Sequence, residues 1–119
     1  MIDAYINLDT SHKGFNSQLK DVELNKVEIK NIINENQINL VITSLSKYGE
    51  TKKNLSNFES SNNLYPTLII VDDKDFEQAI DLIKNPHIEL TSSKSKLEEL
   101  RARIHALVGD AKSDILEFK

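Results

Sequence analysis

The chain has 119 residues, 29% of them charged, a net charge of −4 and no cysteine. That length suits one compact domain with its own core, and the lack of cysteine excludes disulfides, thiolate metal sites and thiol nucleophiles. The acidic balance argues against nucleic-acid binding by this segment, and no apolar run approaches the ~20 residues of a membrane span.

The start, Met1-Ile2-Asp3, lacks a basic, signal-like segment, so a soluble cytoplasmic protein is expected. Ala4-Tyr5-Ile6-Asn7-Leu8 reads as a first strand, closed by Asp9-Thr10-Ser11. Residues 15–20 suit a short helix, with Phe15 and Leu19 four apart. Val22, Leu24 and Val27 alternate with charged residues, as a half-buried strand would. Residues 27–37 read as a helix with Ile29, Ile32 and Ile33 on one face. Leu40-Val41-Ile42 is apolar on consecutive positions, the pattern of a parallel strand covered on both faces. The polar stretch after Ser46 is expected to hold an exposed helix over 50–60, packing Leu55 and Phe58, and to be mobile over 57–63.

Pro66 to Val71 is the strongest strand signal, stopped by Asp72-Asp73. Asp75 is a candidate N-cap for a helix over 76–84 with Phe76, Ala79, Ile80 and Ile83 on one face, and Asn85-Pro86 ends it. Ile88-Glu89-Leu90 is a short strand. Residues 96–108 form an amphipathic helix with Leu97, Leu100, Ile104 and Leu107 in one stripe and Gly109 as its stop. The order is strand then helix, five times. Right-handed crossovers turn that into an α/β domain with five parallel strands and helices on both faces, in the CheY-like or flavodoxin-like order 2-1-3-4-5. Function in such folds sits at the carboxyl ends of the strands, here Asp9, Ser44 and Asp72.

Leu97-Glu98-Glu99-Leu100-Arg101-Ala102-Arg103-Ile104-His105-Ala106-Leu107 resembles the last helix of response-regulator receiver domains, particularly the OmpR/PhoB type. Asn39 to Leu45 resembles their third strand, and Asp114 to Phe118 the linker that opens the winged-helix effector of that subfamily. The resemblance implies a receiver-like domain over 1–109 and a linker over 110–119 toward a DNA-binding domain beyond Lys119. It also implies a phosphoryl site: acidic residues after strand 1 and an Asp ending strand 3 hold Mg²⁺, and that Asp is the nucleophile. A Ser or Thr after strand 4 and a Lys after strand 5 bind the phosphoryl oxygens.

Laid on this chain, the nucleophile position falls on Ser44 and the acidic pair reduces to Asp9. The Ser/Thr position falls on Asp72, whose charge opposes a phosphoryl group, and the Lys position on Ser93 with Lys94 beside it. The implied protein is an atypical, phosphorylation-independent response regulator in transcription, with no enzymatic activity, no metal and no cofactor. It would homodimerise through the fourth helix, fifth strand and fifth helix, using Lys84, Glu89, Glu98, Arg101 and Arg103, and touch DNA only through the later domain. A stand-alone adaptor binding a protein or small ligand at Asp9, Ser44 and Asp72 is the alternative. The run 9–14 also approaches the D-x-H-x-x-G of cobalamin-binding domains of similar topology, with His12 one place late. His12, His87 and His105 are scattered in sequence and read as separate residues.

Overall fold

The computed structural model describes residues 2–59 and 64–116, with side chains described up to residue 109. Five parallel strands, β1 (Ile2–Asn7), β2 (Leu24–Lys26), β3 (Leu40–Ser44), β4 (Thr67–Val71) and β5 (Ile88–Ser92), form one sheet in the order β2-β1-β3-β4-β5. The expected flavodoxin-like topology is therefore the observed one. Among the described residues four α-helices accompany it: α1 (Phe15–Lys20), α2 (Tyr48–Leu55), α3 (Phe76–Ala79) and α4 (Leu97–Leu116).

Successive strand residues face opposite ways, so a strand buried on both sides is apolar along most of its length. All five residues of β3 and of β4 are buried. Leu40, Ile42, Leu68 and Ile70 join Phe15, Leu19, Leu100 and Ile104 beneath α1 and α4. Val41 packs with Leu55 and Tyr65 on the other face, and Ile69 and Val71 pack there with Ala79 and Leu90. The stripe read from α4 explains why Leu100 and Ile104 have no exposed surface.

Three expectations need correction. The helix expected over 27–37 is replaced by two 3-10 turns, Ile29–Asn31 and Glu35–Gln37. Val27 donates its amide to Ala4, which pulls it onto the sheet. The side chain of Gln37 accepts from the amides of Ile33 and Asn34, and that of Asn34 from Asn36. Such side-chain bonds offer the backbone an alternative to helix. Ile32 is buried as expected, but Ile33 is 85% exposed.

The second correction concerns 76–84. α3 ends at Ala79 and continues as a 3-10 turn, Ile80–Lys84. Three residues per turn put Phe76, Ala79 and Leu82 on the core side. Ile80 and Ile83, which a period of 3.6 would bury, are left 54% and 47% exposed. Asp75 makes no side-chain cap bond. Third, Gly109 does not stop α4: no glycine has positive φ, and the backbone stays helical to Leu116. The linker expected over 110–119 is thus helical as far as it is described, and Glu117 and Phe118 lie outside the described residues. Residues 60–63, where mobility was expected, also lie outside them.

Among the described residues, one non-glycine position has positive φ. Glu23, in the turn before β2, has φ 54°, a region that costs an L-residue roughly 1–2 kcal/mol. Glu23→Gly is expected to stabilise the fold by about 0.5–1 kcal/mol, the gain being trimmed by the freer unfolded chain. A urea midpoint that falls instead would show that the Glu23 side chain contributes more than its backbone costs.

Candidate functional site

The carboxyl ends of β1, β3 and β4 meet at the switch point of the sheet, where β1 lies between β2 and β3. A buried polar knot fixes the β1 and β3 ends. Thr43 Oγ1 donates to the Asn7 carbonyl at 2.8 Å and lies 2.9 Å from Thr51 Oγ1 on α2. The next residue is Ser44, with no exposed surface. Its Oγ accepts the Asp9 backbone N–H at 2.8 Å and lies 2.6 Å from His12 Nδ1. His12, 7% exposed, sits on a 3-10 turn (Thr10–His12), and its Nε2 is 3.0 Å from Asp72 Oδ1.

Proton positions follow from these partners. A carboxylate opposite Nε2 requires N–H there, so neutral imidazole presents a lone pair at Nδ1, and Ser44 donates its hydroxyl to it. Asp9 N–H, Ser44, His12 and Asp72 form one closed relay. His12 holds the Asp72 carboxyl below the usual carboxylate range, with the Ser93 hydroxyl helping.

Asp9 is engaged elsewhere. Its Oδ1 accepts from the Ser11 amide and hydroxyl, both at 3.0 Å, and its Oδ2 from the Ser46 hydroxyl at 2.5 Å. The Ser46 bond, then the Ser11 amide, lower its pKa to about 2. Among the described residues no group of three or more His, Cys, Asp and Glu is placed to hold a metal ion.

Of the expected site residues, Asp9, Ser44, Asp72 and Ser93 are brought together. Ser93 continues the sheet, its amide bonded to the Val71 carbonyl at 2.9 Å. Lys94 is not with them: its Nζ pairs with Asp73 Oδ2 at 3.2 Å on the surface. The Ser92 hydroxyl, then Lys94, lower the Asp73 pKa. His12 is the residue that sequence reasoning missed. It stands between two hollows of ≈ 370 and ≈ 300 Å³, both of which it lines together with Ser11 and Asp72. Its sequence signals were its place in the first strand-to-helix loop and the imperfect D-x-H-x-x-G run, and neither pointed to Ser44 or Asp72 as its partners.

The relay has the order of a nucleophile, a base and an orienting acid. Ser44, however, is sealed, its oxygen already accepting a backbone N–H, and it lines neither hollow. The arrangement stores no free nucleophile.

The residues expected at a dimer surface divide. Arg103 bonds Glu89 at 2.6 Å and Glu99 at 3.1 Å within its own chain. Arg101 instead reaches the Asp21 carbonyl at the end of α1, at 2.8 Å. Lys84 pairs with Asp81 at 3.3 Å, and Glu98 is exposed on α4.

No family model matches the chain, and no curated protein matches it. Among solved structures it is similar to the crystal structure of an adenylate cyclase from Rhodopirellula baltica, with 10% identity, a TM-score of 0.63 and all of both chains covered. At that identity the likeness concerns the fold, and a receiver-like α/β sheet fits it. Among the described residues, no helix is long and apolar enough to cross a membrane.

Proposed function

We propose that this chain is a receiver-like regulatory domain that works without phosphorylation, part of an atypical response regulator of the OmpR/PhoB type. One observation carries the reading. The position that would hold an acceptor Asp is Ser44, and its hydroxyl is closed off by the Asp9 amide and the His12 ring. Three further features support it. Asp72 brings a carboxylate where a phosphoryl group would need a hydroxyl, Lys94 is turned to Asp73, and both oxygens of Asp9 are already occupied.

The domain has no catalytic role in this reading and works in the cytoplasm. Its output is contact: a homodimer through α3, the following 3-10 turn, β5 and α4, bringing together DNA-binding domains beyond Lys119. Exposed Ile80 and Ile83 supply apolar contact there. Arg103 and Glu89, paired within the chain, would exchange partners across the two-fold axis, which sets register more than affinity.

Two measurements test this. Amide spectra with acetyl phosphate and Mg²⁺ are expected to match those without. Phosphodonor-dependent shifts at Asp9, Ser44 or Asp72 would overturn phosphorylation-independence. Sedimentation of the chain is expected to show a dimer that Ile83→Glu and Arg103→Glu weaken. A monomer at high micromolar concentration would overturn the dimer.

A further inference from the structure

α1 leaves part of the sheet open. Six helical residues span about 9 Å, against about 20 Å for six residues of strand. α1 and β1 have six residues each. On the β2 side of α1 the uncovered strip forms two adjoining hollows. The larger, ≈ 390 Å³, has Ile6, Leu19 and Leu24 in its wall with Lys20 and Lys26. The smaller, ≈ 200 Å³, adds Lys13. Ile6, Asn16 and Lys26 line both, so the hollows adjoin.

The charge around them is one-sided. No Asp or Glu lines either hollow, in a chain with 19 acidic and 15 basic residues. The hollows beside His12 include Asp72, and the one past the end of β2, which Lys26 also lines, includes Asp3 and Glu28. Lys13, Lys20 and Lys26 are exposed, and none is in an ion pair among the described residues. An apolar wall thus stands beside lysines, the division of chemistry that small-ligand sites use for fit and orientation.

We propose that these hollows form one site for a small anionic amphiphile, a carboxylate on a medium-length alkyl chain. The chain lies against Ile6, Leu19 and Leu24, and the carboxylate is held by Lys13 and Lys26. The site shares no lining residue with the hollows beside His12 and does not rest on the regulatory reading.

The experiment is a titration of the isotopically labelled full chain with decanoate, below its micelle concentration, followed by amide shifts. Saturable shifts are expected at Ile6, Asn16, Leu24 and Lys26. Lys26→Glu, at an exposed position, is expected to weaken binding by about tenfold through charge reversal. Lys96→Glu, on an exposed lysine that lines neither hollow, is expected to leave it unchanged. Decanol, with the same tail and no charge, is expected to bind more weakly by a similar factor. Lack of saturation, equal binding of decanol, or shifts centred on Ile80 and Ile83 would each overturn the proposal. So would binding confined to anionic vesicles, which would assign the lysines to a membrane surface.

Discussion

Ser44→Asp, which writes an acceptor carboxylate back into the end of β3, is expected to lower stability by about 2–4 kcal/mol and to gain no phosphorylation. The position has no exposed surface, so a carboxylate there gives up its hydration. The Asp9 amide could still donate to it, but neutral His12 presents a lone pair at Nδ1. Only a ring carrying N–H at both nitrogens could serve this carboxylate and Asp72 together. The new charge also joins Asp9 and Asp72 at one strand end. Ser44→Ala, which loses two hydrogen bonds but adds no charge, is expected to cost about 1–2 kcal/mol. Urea midpoints of the two variants give the comparison, and intact mass after acetyl phosphate and Mg²⁺ reports the chemistry. A Ser44→Asp variant as stable as the parent, or one that gains a phosphoryl group, would show that the site is open.

The parts of the fold legible in the sequence are those where burial alone decides. Leu40 to Ile42 and Leu68 to Val71 are apolar at every position because both faces are covered, and no other element explains such short runs. The α4 stripe was legible for a similar reason. What failed depended on competition between weak local terms. Ile29, Ile32 and Ile33 have helical spacing, but Asn34 and Gln37 bind the backbone themselves and win. Ile80 and Ile83 were assigned to the core on a period of 3.6, and a shift to 3.0 moved Leu82 into their place.

The candidate site was half legible. Ser44 and Asp72 followed from strand ends and from the family resemblance, since strand ends are where a parallel sheet collects side chains. His12 was marked only by an imperfect D-x-H-x-x-G run that says nothing of its partners. Its partners are 32 and 60 residues away in sequence, and searching the three histidines for spacing with one another could not find a hydroxyl and a carboxylate. Lys94 was misplaced for a plainer reason. Asp73 stands nearer to it than the strand ends do, and a long flexible side chain takes the exposed partner.

His12→Ala is expected to cost about 2–4 kcal/mol, from the lost ring and from a Ser44 hydroxyl left without its acceptor. The pH profile identifies the relay as the cause. Asp72 has a lowered pKa, with the His12 bond as the first cause. A carboxyl lowered on folding contributes stability above its unfolded value of 3.8, and that contribution disappears as pH falls through the folded value. The parent should therefore lose stability steadily below about pH 4. In His12→Ala the Asp72 part of that loss should shrink. The Asp9 part, spread between 3.8 and about 2, should remain because Ser46 is its main cause. Urea midpoints across the acid range separate the two. Combining His12→Ala with Ser44→Asp adds a second test. Removing the ring joins the two hollows that flank it and lets water reach the new carboxylate. The double variant should then be about 1–2 kcal/mol more stable than the summed single costs predict. Strict additivity would mean that Ser44 and His12 act independently, and that the ring is not what seals the strand end.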